Sequence, residues 1–176
     1  MIESSGPSAG SSAGSSAGSS AASSGYDVHH LVASQLAAQE QRYTSNRRQL
    51  VDILVDTDGP VTIADILDQG RNLAQSSAYR NLVVLEEAGV VHRIITSDVH
   101  ARFELTEAVT GHHHHHLICE HCGRIFDVML PPSLERELDR CLDEQADRLG
   151  FEGDHHRVDL IGRCRTCIAA EAAKKN

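Results

Sequence analysis

Four of the five cysteines form two Cys-x-x-Cys pairs, a spacing that brings two thiolates onto one cation. The pairs are Cys119–Cys122 and Cys164–Cys167. A single pair can be a redox dithiol, but two pairs complete the closed tetrahedral ligand set of a structural zinc ion. We therefore predict a structural Zn²⁺ that joins two distant segments. The fifth, Cys141, lies among leucines of a predicted helix over 133–149 and is expected to be a small buried side chain.

Five consecutive histidines, His112–His116, lead directly into the first cysteine pair. In an extended segment, alternate side chains face opposite sides. His113 and His115 would then share one face, and His114 and His116 the other, so that one strand feeds two metal sites. The other candidate ligands are His92, His100, Glu104, Asp127, Glu135, His155 and His156.

The chain before these motifs has the pattern of a small helical unit followed by a hairpin. Helices are predicted over 28–39, 45–57, 63–69 and 76–88. Thr44 and Thr62 suit N-caps, Asp65 completes a capping box, and Gly89 suits a helix end. Two strand-like segments flanking a turn at Ser97–Asp98 predict a two-stranded wing.

The fourth predicted helix carries polar side chains in its first turns, opposite a core-facing stripe of Ala78, Leu82 and Leu85. In helix-turn-helix proteins, the N-terminal turns of the second helix enter the major groove. Side chains there can reach bases, and hydroxyls at a helix start can reach phosphates. An ordinary helical subdomain remains the alternative from pattern alone. The predicted DNA-binding residues are Arg47, Ser76, Ser77, Tyr79 and Arg80.

The charge balance restricts how the chain can contact DNA. The net charge is −9, and residues 26–93 carry six basic against nine acidic side chains, so contacts must come from a small local patch. Residues 1–25 contain 21 Ser, Ala or Gly and are predicted to be a flexible tail. With no apolar run of about 18 residues and no signal-peptide pattern, we expect a cytoplasmic protein without a membrane partner.

The string HHHHHLICEHCG resembles the signature of the ferric uptake regulator family, a His-rich run followed by an apolar step and CxxCG. The similarity continues at Tyr43-Thr44 with Arg47, at AYRNL (78–82), at EEAGVV (86–91) and at the late cysteine pair. It implies an α+β protein, with an N-terminal winged helix-turn-helix domain followed by a small α/β dimerisation domain. The expected divisions are a tail at 1–25, the DNA-binding domain at 26–108, the metal-binding dimerisation domain at 109–170 and a flexible tail at 171–176.

The resemblance also implies a function: a metal-dependent transcriptional repressor of metal homeostasis, of the iron or zinc uptake type. Its partners would be a second copy of itself and a palindromic double-stranded DNA operator, with no small organic substrate. Metal at the hinge between the domains would close the dimer onto DNA. For the hinge, the resemblance implies His92, Glu104, His114, His116 and Asp127. For a second site, it implies His113, His115, Glu135 and His156.

The hinge ligands depart from the patterns of the family. Iron-sensing members supply a histidine just before the third helix, where this chain has Gly59-Pro60. His92 is a candidate substitute, but zinc-sensing members with a ligand there also use a cysteine where this chain has Thr106. At the second site, His115 stands where some members carry an acidic residue. Glu135 matches its family position only if the comparison allows a one-residue gap. A His/carboxylate set suits Fe²⁺, Zn²⁺, Mn²⁺ or Ni²⁺, and we favour Fe²⁺ or Zn²⁺ as the regulatory ion.

Three other functions are alternatives to this one. A peroxide-sensing regulator of the same family is compatible with Asp127, although Glu104 in place of Asp fits it less well. A metal buffer or chaperone without DNA binding would suit the acidic charge. A zinc enzyme needs an open metal position and a general base, and no HExxH motif occurs, so no enzymatic activity is expected.

Overall fold

The computed structural model describes residues 21–70, 72–96 and 100–174, with side chains described from Val28 onward. Its N-terminal part contains helices α1 (Ala21–Ala38), α2 (Ser45–Asp56), α3 (Ile63–Gln69) and α4 (Gln75–Glu87), and strands β1 (Val61–Thr62), β2 (Val91–Ile95) and β3 (Ala101–Leu105). Its C-terminal part contains helices α5 (Glu107–Thr110), α6 (Pro132–Leu149) and α7 (Arg165–Lys174), and strands β4 (His115–Cys119), β5 (Ile125–Val128) and β6 (Asp159–Gly162). The predicted α+β class is confirmed.

Local signals determine where the N-terminal helices begin. The Thr44 hydroxyl accepts a hydrogen bond from the Arg47 backbone N–H and caps α2. At α3, the Thr62 side chain caps the Asp65 N–H, and the Asp65 carboxylate accepts from the Thr62 N–H at 2.9 Å. This is the predicted capping box, with Asp in place of Glu. The four predicted helices are all present within two residues of their expected bounds, except at the start of α1.

The apolar core lies in the N-terminal part. The stripe of Ala78, Leu82 and Leu85 on α4 is fully buried, as predicted, and packs in the same cluster as Leu50 of α2 and Val32 of α1. Each buried leucine or valine side chain of this cluster contributes about 1.5–3 kcal/mol by its removal from water. This core holds the first turns of α4 in a fixed position relative to the wing.

The wing is a three-stranded antiparallel sheet in the order β1-β3-β2. Strands β2 and β3 confirm the predicted hairpin, and their register places His92 opposite Glu104. Strand β1 was not predicted, because two residues are too few for an alternating pattern to be recognised. The predicted turn at Ser97–Asp98 lies outside the described residues.

The second sheet has the order β5-β4-β6, with β4 antiparallel to β5 and parallel to β6. Its register pairs His116 with Asp127 on one side and with Asp159 on the other. Strand β4 begins within the histidine run and ends at Cys119. One central strand therefore connects the histidines to the cysteine site.

Helix α6 buries none of its side chains within one chain. Leu134, Leu142 and Leu149 are exposed, although they lie at helical spacing. Cys141 is exposed as well, so the prediction that it is buried is wrong for the single chain, because none of the described residues covers this part of the helix.

The two predicted tails need correction at their inner ends. Residues 21–25 belong to α1, while the rest of the predicted N-terminal tail lies outside the described residues. The predicted tail at 171–176 is helical as far as Lys174, because α7 continues through Ala, Glu and Lys, which favour helix. The other domain boundaries, near 108 and 170, remain predictions.

Candidate metal centres and DNA-reading surface

The four paired cysteines converge on one point. The Sγ atoms of Cys119 and Cys167 are 3.8 Å apart, as are those of Cys122 and Cys164, and all four lie within 4.8 Å of one another. Thiolates about 2.3 Å from a tetrahedral ion are themselves about 3.8 Å apart, so the set has the dimensions of a zinc site. The pairs approach each other because β4 lies beside β6, with Cys119 paired to Gly162.

The backbone around Cys119 favours its thiolate. The Cys164 N–H donates to its Sγ at 3.3 Å, and this hydrogen bond is the main reason why the pKa of Cys119 is lowered to about 6. Burial raises the pKa of Cys167 to about 12, which a bound cation would reverse. Metal affinity at such a site depends on deprotonation of the thiols. The residues fit a structural Zn²⁺.

A second cluster brings together both halves of the chain. Glu104 lies on β3 of the wing, and its Oε2 is 3.3 Å from Nε2 of both His114 and His116. Asp127 completes the group, with Oδ1 at 3.8 Å from Nε2 of His116. One ligand atom from each of these four residues lies within 4.8 Å of the others. We call this group the hinge site.

Charge and burial at the hinge site favour a cation. Burial opposes ionisation of Glu104, but hydrogen bonds from His116, His92 and His114 outweigh it and lower its pKa to about 2. The side chain of His116 is 1% exposed; burial disfavours its charged form, yet Glu104 and Asp159 raise its pKa. Burial raises the pKa of Asp127. Glu104 is thus ionised at neutral pH, and protonation of His116 competes with metal binding at that ring.

His92, the fifth residue predicted for the hinge, lies outside the converging set. Its Nδ1 is 3.1 Å from Oε1 of Glu104, whereas His114 and His116 approach Oε2, and Arg157 contacts its Nε2. His92 thus contacts one of the four converging side chains, and its role as a ligand stays a prediction. Gly59 stands where iron-sensing members supply a histidine, and it lies close to the hinge site. Its φ is +90°, and a Cβ there would lie 3.4 Å from Oδ2 of Asp127.

The third cluster uses the other face of the histidine run. His115 donates to Glu135 of α6, with Nε2 at 3.1 Å from Oε1. His113 and His156 approach Oε2 of Glu135 at 3.5 and 3.4 Å. The Nε2 atoms of these two histidines are buried without a hydrogen-bond partner among the described residues. Buried imidazole nitrogens that face one carboxylate without a hydrogen bond fit a divalent metal. We call this group the second site. The predicted ligands His113, His115, Glu135 and His156 are all in it.

Three carboxylates that sequence reasoning missed orient these histidines. Asp159 lies 3.3 Å from Nδ1 of His116, Glu107 lies 2.6 Å from Nδ1 of His113, and Asp139 lies 2.9 Å from Nδ1 of His156. A carboxylate on the far ring nitrogen directs the other nitrogen towards a metal and makes it more basic. Two further candidates, His100 and His155, join neither cluster.

The DNA-reading candidates divide into two groups. Ser76, Tyr79 and Arg80 are exposed on the first turns of α4, with 44% of Tyr79 accessible. Arg80 is held by a hydrogen bond from its Nε to the Ser76 carbonyl at 3.1 Å. Ser77 is partly buried, and its hydroxyl accepts hydrogen bonds from Asn46 and Asn81.

Arg47 does not belong to the exposed group. Its guanidinium donates to the carbonyl of Arg42 and to side-chain oxygens of Gln41 and Asn81, at 2.5, 3.2 and 3.1 Å. All three contacts tie α2 to its neighbours within the same unit. These contacts hold the Arg47 side chain against its own unit, and its predicted contact with DNA stays a prediction.

Comparison with known proteins settles the family. The model of the Ferric uptake regulator family matches residues 38–161. The chain belongs to the ferric uptake regulator family. This family consists of homodimeric, metal-responsive transcriptional regulators that bind DNA, and the protein is a regulator of this class. None of the helices in the described part of the chain is long and apolar enough to cross a membrane.

Three members of the family illustrate the degree of similarity. It is 31% identical over 134 residues to the peroxide operon regulator of Bacillus subtilis, covering 74% of this chain and 86% of the relative. It is 27% identical over 147 residues to the peroxide-responsive repressor PerR of Staphylococcus aureus, covering 80% and 93%. The ferric uptake regulator of Helicobacter pylori has the same fold, with a TM-score of 0.63 at 21% identity over 81% and 93% of the two chains.

The cysteine cluster can be tested by metal content. We expect Cys119→Ser and Cys164→Ser each to lose one zinc per subunit and to unfold at lower temperature, because structural zinc binding is linked to folding. Cys141→Ser is the matched control and should retain the zinc, since its thiol lies outside the cluster. Zinc is measured in the purified dimers by atomic emission. Loss of zinc from Cys141→Ser together with its retention in Cys164→Ser would contradict this ligand set.

Proposed function

We propose that the protein is a cytoplasmic repressor whose affinity for a palindromic operator is controlled by a divalent metal at the hinge site. The observation that carries this proposal is the position of Glu104. Its carboxylate comes from the wing, whereas His114, His116 and Asp127 come from the second sheet and the segment before it. An ion bound by all four would fix the wing relative to the second sheet.

The mechanism is thermodynamic linkage. A metal that binds the closed arrangement better than the open one shifts the population by that difference in affinity, and no further. DNA that selects the closed dimer must in turn tighten metal binding by the same factor. The second copy of the chain packs, in this proposal, on the exposed leucines of α6, which would present two α4 helices to the two operator halves.

The ligand set limits the identity of the metal. Two imidazoles and two carboxylates suit Fe²⁺, Zn²⁺, Mn²⁺ or Ni²⁺, whereas thiolates, which favour softer ions, are confined to the cysteine cluster. We favour Fe²⁺ or Zn²⁺ as the regulatory ion and Zn²⁺ as the structural one. We also infer that the protein acts by binding rather than by catalysis.

Single histidine variants separate the hinge site from the second site. His114→Ala and His116→Ala should abolish the increase in operator affinity that metal produces, because each removes one of four hinge ligands. His113→Ala and His115→Ala serve as matched controls from the same run and should weaken the response less, since they belong to the second site. Operator binding is measured by gel shift over a range of buffered free metal. Loss of the response only in the His113 and His115 variants would move the sensor to the second site.

The DNA-reading surface predicts a different pattern. Tyr79→Ala and Arg80→Ala should each weaken operator binding by about 1–3 kcal/mol, the usual effect of losing a base contact. Zinc content and hinge metal affinity should stay unchanged, because neither side chain touches a metal cluster. Arg93→Ala removes the same charge from strand β2 instead of from α4 and is the matched control. Unchanged operator affinity in both α4 variants, measured by fluorescence anisotropy, would exclude α4 as the reading helix.

Peroxide sensing is the second candidate, and it is favoured by the two peroxide-responsive relatives. Their names apply to those proteins; for this chain, the supporting feature is a hinge site in which His114 and His116 lie beside two carboxylates. If the protein senses peroxide, Fe²⁺-loaded protein treated with equimolar H₂O₂ should gain one oxygen on a peptide containing these histidines and lose operator binding. Mass spectrometry of the digested protein measures the gain. Zn²⁺-loaded protein is the control and should show none, whereas an unmodified Fe²⁺ form would remove this candidate.

A further inference from the structure

Arg157 lies between the wing and the second sheet, two residues before β6 begins. Its NH1 contacts Nε2 of His92 on β2, and its NH2 donates to Oδ2 of Asp159 at 3.1 Å. It also lines the same 370 Å³ cleft as Glu104 and His116. Arg157 is not one of the converging side chains. It contacts one residue that touches Glu104 and another that touches His116.

The contact with His92 indicates which nitrogen of that ring carries a proton. NH1 of Arg157 lies nearer to Nε2 than to Nδ1, which is 3.3 Å away. A guanidinium has only donors, so we assign the nearer nitrogen, Nε2, as the acceptor and as the unprotonated one. The proton of the neutral ring is then on Nδ1, which donates to Oε1 of Glu104 at 3.1 Å. This hydrogen bond occupies Oε1 and leaves Oε2 directed at His114 and His116.

The contact with Asp159 acts in the same way on the other side of the hinge. Arg157 occupies Oδ2 of Asp159, and Oδ1 lies 3.3 Å from Nδ1 of His116. A carboxylate accepts there, so Nδ1 of His116 carries a proton and Nε2 is the nitrogen that faces the hinge site. Nε2 of His116 is in turn 3.3 Å from Oε2 of Glu104.

These contacts form a closed circuit of five side chains: Glu104, His92, Arg157, Asp159 and His116. Two members come from the wing strands, and three from the second sheet and its approach. Arg157 is the member whose charge does not change with pH, and the fork of its guanidinium is what allows one residue to hold both branches. The circuit orients one hinge ligand from each half of the chain.

We propose that Arg157 is a positioning residue for the hinge site, which sets the tautomer of His92 and the orientation of Glu104 and His116 before metal binds. The proposal rests on the metal-sensing role of the hinge. It assigns His92 to the support of Glu104 and explains why His92 does not converge with the ligands. The proposal also predicts that removing Arg157 lowers the metal affinity of the hinge site. A positive charge without a positioning role would repel the metal, so removing it would raise the affinity.

The first test measures the metal-free protein, so that it does not depend on the function. In the ¹⁵N–¹H spectrum of the ring nitrogens, His92 should show a protonated Nδ1 and an unprotonated Nε2. Arg157→Ala should change this pattern, whereas Arg148→Ala, an exposed arginine on α6, should not. An unchanged His92 pattern in Arg157→Ala, or a protonated Nε2 in the parent protein, would overturn the proposal.

The second test measures Mn²⁺ affinity. A Glu104→Gln variant identifies which part of the Mn²⁺ binding curve belongs to the hinge site. Loss of an outer residue that orients ligands typically weakens metal binding about 10–100-fold, and we expect a loss in this range for Arg157→Ala. His92→Ala in the Arg157→Ala background should add little, because both act through one oxygen of Glu104. Affinity that is equal or higher in Arg157→Ala, or fully additive losses, would overturn the proposal.

The operator assay distinguishes this proposal from the function on which it rests. If the parent protein shows no metal-dependent DNA binding, the proposed function fails, while the tautomer measurement still tests the circuit. If the parent responds and Arg157→Ala responds at the same free Mn²⁺, the positioning role fails and the function stands. The expected result is a response of Arg157→Ala that is shifted to about 10-fold or more higher free metal.

Discussion

The second half of this protein must hold its shape with very little apolar interior. The continuous hydrophobic cluster lies within residues 28–109. Beyond it, the buried side chains among the described residues are two imidazoles, two thiols and Ile118. Burying imidazoles, or thiols that have lost their protons, is costly unless each finds a partner, and bound cations would supply such partners. The candidate metal ligands therefore occupy the positions that aliphatic side chains fill elsewhere, and in the proposed function sensing and folding depend on the same groups.

Strand β4 concentrates this constraint in a few residues. It forms the middle of its sheet, so its side chains meet β5 on one edge and β6 on the other. Because neighbouring residues of a strand face opposite ways, His115 points to the α6 side while His116 points to the wing. The same strand then ends at Cys119. A displacement of β4 by one residue would exchange the two histidine faces and disrupt both His/carboxylate clusters together.

Spacing and periodicity carried most of the prediction, and its failures have physical causes. Two Cys-x-x-Cys pairs and the alternation of the histidine run were enough to assign eight side chains to the clusters in which the structure places them, because those rules are local. Asp159 was missed because choosing it among 25 acidic residues requires the register of β4 against β6, 43 residues away. The contact of Arg47 with Asn81 was not foreseen, because helix packing brings these two residues together. Cys141 was misjudged because no residue in the described part of the chain covers its position on α6.

The bare face of α6 has a consequence for how such a regulator behaves at low abundance. A chain that leaves an amphipathic helix uncovered gains stability when a second copy arrives, so the free energy of unfolding rises with protein concentration. Glu135 lies on this helix, so the second site is complete only when α6 is folded. At low copy number, a larger share of chains would be solitary, with α6 less stable and the second site weaker. The amount of protein in the cell would then set the threshold of the response together with the amount of metal.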